Sequence, residues 1–144
     1  AYWIRPDSSS SVFELAAASF RNTIALAQPF VDSIQTFGEI SLIFFREHFS
    51  HAVLKTPKTG DFRVQEEHGG NIQSWSVDQG LIDFARTCLK ACPSETLYAR
   101  VDLVMLSDGC PAVMEIELIE PSLYLPYSSE SPELFADAIE SVLV

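Results

Sequence analysis

An α+β domain, with a mostly antiparallel sheet and flanking helices, is predicted by three features of the sequence. Two runs of strand-type residues, 98–106 and 112–120, flank the turn-forming Ser107-Asp108-Gly109-Cys110, which is a β-hairpin signal. The mostly apolar run from Glu39 to Phe45 reads as a strand in a central position. Apolar residues at helical spacing follow Ser10, Asp78 and Ser131. Hydrophobic residues make up 47% of the 144-residue chain and aromatics 11%, which supports a packed core and excludes a disordered tail.

Along the chain, Ser10 or Ser11 caps a helix running to about Arg21, with Val12, Leu15, Ala16 and Phe20 on one stripe. Strands are expected at 26–31, 39–45 and 50–55, followed by a loop at 56–60 that contains Pro57. Residues 62–65 extend as a short strand before the loop 66–70, where Gly69 and Gly70 permit close backbone approach to a ligand. Asp78 N-caps a helix of about twelve residues that ends before Pro93. After the hairpin, Ser131, Pro132 and Glu133 read as N-cap, N1 and N2 of a closing helix.

The hairpin carries the chemistry. If Asp108-Gly109 is a two-residue type I′ turn, Ser107 pairs with Cys110 and Leu106 faces Pro111, a non-hydrogen-bonded position that tolerates the missing N–H. Counting outward puts Asp102 opposite Glu115, with Arg100 and Glu117 on the same face. Like charges directly opposite destabilise a sheet unless a cation lies between them. An all-oxygen ligand set favours Mg²⁺ or Mn²⁺ over zinc, and Mg²⁺ keeps coordination sites for phosphate oxygens, so the cluster suggests nucleotide chemistry. On spacing alone, a solvated acidic face on an edge strand is the commoner source of such charges. Against it, no Lys is interleaved among these carboxylates.

Arg100-Val-Asp102-Leu, then Val113-Met-Glu115-Ile-Glu117 and Pro121, resemble the metal-binding end of the ATP-grasp superfamily, in which an Arg-x-Asp strand precedes a Glu-x-Asn strand and a Pro-containing loop. The resemblance implies that Asp102 binds one Mg²⁺, that Glu115 bridges two, and that Glu117 stands where Asn is commoner. It implies that Arg100 steadies an acyl phosphate and a tetrahedral intermediate. Gln28, Pro29, Phe30 and Val31 resemble the hinge strand whose backbone pairs with adenine, and Glu39 resembles the acidic residue that takes the ribose hydroxyls. Lys55 and Arg63 resemble the cationic residues that meet the phosphates and the reaction centre, with His68 beside them. The loop from Glu120 departs from the commoner Pro-Gly form, so no acceptor pocket carries over.

What the resemblance implies for the whole is a C-terminal ATP-grasp lobe over 1–144, with 1–24 a remnant of a preceding lobe and 25–144 the nucleotide- and metal-binding sheet. The first lobe, with its lysine strand and glycine-rich loop, is not visible in the sequence. The expected parent activity is an ATP-dependent carboxylate–amine ligase that takes ATP, Mg²⁺ or Mn²⁺ and a small carboxylate through an acyl phosphate, the chain alone being inactive. The alternatives are a genuine small domain and, for function, a non-catalytic fragment or assembly module. A homodimer is expected if apolar surface near 12–20 and the hinge is left uncovered.

The net charge of −11, from 9 basic and 20 acidic residues, argues against a nucleic-acid surface. No apolar run approaches the roughly 18 residues that span a bilayer. Three cysteines, Cys88, Cys92 and Cys110, leave an odd thiol under any pairing, which favours a reducing cytoplasm. His48 and His51 read as ordinary turn histidines, and no Gly-x-Ser-x-Gly elbow or Walker-type Gly-Lys-Ser is present.

Overall fold

The structure is a computed structural model that describes residues 2–64 and 69–143. The chain divides into two compact units, Ala1–Val31 and Asp32–Val144. The first contains helix α1, Ser10–Ser19, preceded by Ser9 in an extended conformation. Within it Trp3 stacks on Phe30, with ring centroids 3.9 Å apart, and the Arg5 guanidinium covers the other side of the indole at 3.6 Å. Residues 26–31, expected as a strand, form none. The run Leu26-Ala-Gln-Pro lacks polar–apolar alternation over a strand's length, and Pro29 removes a ladder donor.

The second unit is built on a five-stranded antiparallel sheet in the order β3-β2-β1-β4-β5. The strands are β1 Glu39–Phe45, β2 His48–Thr56, β3 Asn71–Trp75, β4 Tyr98–Met105 and β5 Pro111–Glu117. Every residue of β1 is buried, as its apolar run predicts for a central strand. The helices are α2 Ser33–Thr36, α3 Gln79–Lys90 and α4 Ser131–Leu143. Residues 62–64, expected as the start of a strand, are irregular, and the rest of that expectation, together with His68, lies outside the described residues.

One face of the sheet carries the main apolar core, with polar Thr56, Asn71 and Gln73 toward its β3 edge. Ile40, Leu42, Phe44, Ala52, Leu54, Ala99, Val101 and Leu103 pack with Ala85 and with Leu81, Ile82 and Leu89 of α3. Each fully buried Leu, Ile, Val or Phe there contributes about 1.5–3 kcal/mol of transfer free energy. The helix begins where the sequence predicts, because the Asp78 carboxylate accepts the Leu81 N–H at 2.9 Å, a cap whose loss costs about 1 kcal/mol. The opposite face is divided. Ile43 and Phe45 are covered by Phe135 and Ala138 of α4 and by Leu123, Tyr124 and Leu125, with Phe45 stacked on Phe135 at 5.0 Å. The rest of that face carries Glu39, Ser41, Lys55, Arg100 and Asp102, all buried. Ser131 opens α4, but its hydroxyl donates to the carbonyls of Leu125 and Ser128 at 3.0 and 2.9 Å instead of capping its own helix.

The β4–β5 hairpin departs from the expected register and then regains it. Leu106 N–H donates to the Cys110 carbonyl at 2.8 Å, and Gly109 N–H to the Leu106 carbonyl at 2.9 Å. Gly109 has φ +82° while Asp108 is not among the residues of positive φ, so the loop is a type I turn closed by a left-handed glycine and not a type I′ turn. Pro111 therefore faces Met105, not Leu106, still one step beyond a hydrogen-bonded pair. A bulge between Leu103 and Asp102 leaves Met114 unpaired and restores Asp102 opposite Glu115 and Arg100 opposite Glu117.

Candidate metal centre

Asp102 lies at the middle of the polar half-face, between a cross-strand neighbour on either side and held by Ser41, Lys55 and Arg100. Its partners across the sheet are Ser41 on β1 and Glu115 on β5. The Ser41 hydroxyl donates to Oδ1 at 2.6 Å, Arg100 Nε donates to Oδ1 at 3.0 Å, and Lys55 Nζ and Arg100 Nη2 donate to Oδ2 at 3.1 and 3.0 Å. Arg100 Nη2 also donates to Glu117 Oε1. Lys55 reaches back to Glu39, its direct cross-strand partner, at 2.5 Å.

The electrostatics follow from this packing. Burial pushes the Asp102 carboxyl up, but Lys55, Arg100 and the Ser41 hydroxyl outweigh it and hold the group below its ordinary range. Burial opposes the charge on Lys55, and Asp102 and Glu39 more than restore it, so the ammonium is held above its ordinary value. Glu39 is raised, because burial and the nearby Asp102 exceed the pull of Lys55. Glu115 is raised by burial and by its neighbours Glu117 and Asp102.

Asp102, Glu115 and Glu117 each offer a carboxylate oxygen, and these oxygens lie within 4.8 Å of one another. This is the group of three or more metal-ligating side chains found among the described residues. Two ligand oxygens on one Mg²⁺ are at most about 4.2 Å apart, a difference that side-chain rotation spans. Among the described residues, the four carboxylates of this half-face, fully ionised, meet two cations, Lys55 and Arg100, so a divalent ion would balance the remaining charge. The donor set is hard oxygen throughout, which fits Mg²⁺ or Mn²⁺.

Of the residues singled out in the sequence, Glu39, Lys55, Arg100, Asp102, Glu115 and Glu117 come together on this face. Arg63 lies in the loop after β2, where Asp61 holds its guanidinium at 2.7 Å. The hydrogen bonds from the Arg63 side chain and from the Arg63 and Phe62 amides hold the Asp61 carboxyl far below its ordinary value. Gln28, Pro29, Phe30 and Val31 belong to the first unit. Two residues the sequence reading passed over also matter. Ser41 is the one hydroxyl in the run Ile40-Ser-Leu-Ile-Phe-Phe, a signal visible beforehand. Tyr124 sits at φ 50°, ψ 34°, with its carbonyl 3.2 Å from His51 Nε2 and its ring centroid 5.9 Å from Arg100 Cζ.

No family model matches the chain. It is 33% identical over 130 residues to the cycloserine biosynthesis protein DcsG of Streptomyces lavendulae, covering 79% of this chain and 40% of that protein. The crystal structure of D-cycloserine synthetase DcsG superposes with a TM-score of 0.71 at 33% identity, over 81% of this chain and 42% of that one. The D-alanine–D-alanine ligase of Bacillus anthracis complexed with ATP gives a TM-score of 0.52 at 20% identity, over 72% of this chain and 36% of that one. The ATP-grasp ligase PsnB, complexed with a phosphomimetic variant of its minimal precursor, Mg and ADP, gives 0.53 at 13% identity, over 71% and 32%. The last two show a shared fold alone. The chain thus spans about two fifths of the length of DcsG. On its likeness to DcsG and the fold it shares with these ligases, the chain resembles the ATP-grasp superfamily over the matched residues.

Proposed function

We propose that this chain contributes the MgATP-binding wall of an ATP-dependent ligase that activates a carboxylate as an acyl phosphate. The observation that carries the reading is the convergence of Asp102, Glu115 and Glu117 beside two buried cations on the polar half of one sheet face. Asp102, Glu115 and Glu117 would hold the divalent ion, which when bound neutralises charge on phosphate oxygens during phosphoryl transfer. Lys55, already held in its charged form and reaching Asp102 across β1 at 3.1 Å, donates to the phosphates. Arg63 does the same once it leaves Asp61, whose side chain is partly exposed and screened by water. Arg100 stabilises the anion that develops as the substrate carboxylate oxygen takes the γ-phosphoryl group and ADP departs. An amine then attacks the acyl carbon and phosphate leaves. Glu39 accepts from the ribose hydroxyls.

Calorimetric titration of residues 1–144 tests the reading. ATP is expected to bind with micromolar or weaker Kd when Mg²⁺ is present, and about tenfold or more weakly when it is absent, a difference of about 1.4 kcal/mol. Asp102→Asn should remove the difference. ATP binding that is indifferent to Mg²⁺ in the wild-type chain would overturn the assignment.

A further inference from the structure

Tyr124 commits both its backbone and its side chain to the polar face. It precedes the 3₁₀ turn Leu125–Tyr127 in the left-handed region, which is sparsely allowed and costly for an aromatic residue. Its carbonyl oxygen accepts the Tyr127 N–H at 2.9 Å and lies 3.2 Å from His51 Nε2. A carbonyl can only accept, so His51 is protonated at Nε2, and its Nδ1 accepts from the Ser50 hydroxyl at 2.9 Å. The Tyr124 ring meets Arg100 on the other side, with Cζ 5.9 Å from the ring centroid, within cation–π range.

These contacts cross the sheet. His51 pairs with Ile43, and Ile43 pairs with Arg100, so the three residues stand side by side on β2, β1 and β4. Tyr124 packs against Ile43 in the apolar cluster and spans it, tied to β2 by its carbonyl and set against β4 by its ring. Behind it lie Phe45, Phe135 and Ala138, and in front lies the Asp102 network. With the backbone left-handed at Tyr124, its carbonyl meets His51 and its ring meets Arg100.

We propose that Tyr124, tethered by His51, is a positioning residue that holds the Arg100 guanidinium between Asp102 and Glu117 and closes the wet side of the site against the apolar core. The inference rests on the role given to Arg100 above, and it would tie the loop from Glu120 to the reacting centre. A substrate that moves Tyr124 would then move Arg100 as well.

The test reads solvent exchange of the Arg100 Nε–H by ¹⁵N-edited NMR, the signal being identified by its loss in Arg100→Lys. Tyr124→Phe, which keeps the ring, should leave the exchange rate within about twofold of wild type, while Tyr124→Leu should raise it about tenfold, the loss expected for a desolvated cation–π contact. His51→Leu, which removes only the tether, should raise it about threefold. If Tyr124→Leu does not fold, His51→Leu carries the decision. A merely structural role would lower the melting temperature of a folded variant and leave this exchange unchanged, and that result would overturn the proposal. Because the measurement needs neither metal nor nucleotide, it can fail while metal binding stands, and metal binding can fail while it stands.

Discussion

Asp102 shows how much a single buried carboxylate depends on its surroundings. Both oxygens are taken, and without Lys55 and Arg100 burial alone would push its carboxyl upward. Lys55→Met removes the shared partner of Asp102 and Glu39, and breaking a buried ion pair from one side costs about 3–5 kcal/mol. The pH dependence has a definite sign. A carboxyl held below its ordinary range stabilises the fold above that range, and the contribution is lost as pH falls through the lower folded value. Glu39, held above its ordinary value, acts in the opposite sense, since protonation at falling pH relieves its burial. In urea melts the deficit of Lys55→Met relative to wild type should therefore be largest near neutral pH and shrink below about pH 4. A deficit that stays constant into acid would mean that the ion pairing does not supply the stability. At this scale the sequence is readable where a residue type is out of place: Asp102 among Val and Leu, and Ser41 among Ile and Leu. Tyr124 gives no such signal, because its importance comes from a backbone conformation that composition does not encode.

The hairpin and the entry to β1 carry the argument at the level of elements. A type I′ turn with no bulge predicts the same facing pair, Asp102 and Glu115, as the three-residue loop and the Met114 bulge that form, because the two one-residue offsets cancel. Alternation on β4 is legible and fixes which side chains share a face; the bulge is not, since no glycine or proline marks it. The strand expected at 26–31 fails for a related reason, that apolar character without period gives no face to pair. Two glycines separate backbone conformation from crowding. Gly109 has φ +82° and open space around it, so Gly109→Ala should cost about 1 kcal/mol of conformational strain and leave the site intact. Gly38 has φ +113°, and a Cβ there would overlap the Lys55 carbonyl oxygen. Gly38→Ala should cost at least about 2–3 kcal/mol and displace Lys55 from Glu39. Denaturant melts of the two variants check this, and equal losses would show that the β1 entry is not packed against β2 as described.

Over the whole molecule the chain carries a net charge of −11, so it repels the polyanion it is proposed to bind. Lys55 and Arg100 are already paired with carboxylates, so a divalent ion would supply positive charge that these two cations do not leave over for phosphate on this face. Among the described residues no helix is long and apolar enough to cross a membrane. The antiparallel sheet, its central strand and the carboxylate pair are legible because each rests on periodicity or register within one segment. The division of the chain at Val31 rests on tertiary packing, which single-segment patterns do not report, and the local pairing of Arg63 with Asp61, two residues apart, belongs to an irregular loop without periodicity. The central claim is that Asp102, Glu115 and Glu117 hold a divalent cation, and melting curves of the wild type and Glu115→Gln with and without Mn²⁺ test it most directly. At about 100-fold excess over Kd, Mn²⁺ should stabilise the wild type by about 2.7 kcal/mol, a rise of several degrees in Tm. Glu115→Gln should melt slightly higher than wild type without metal, since repulsion from Glu117 and Asp102 is removed, and should lose most of the Mn²⁺ response. An equal rise in Tm with Mn²⁺ for both proteins would contradict the account.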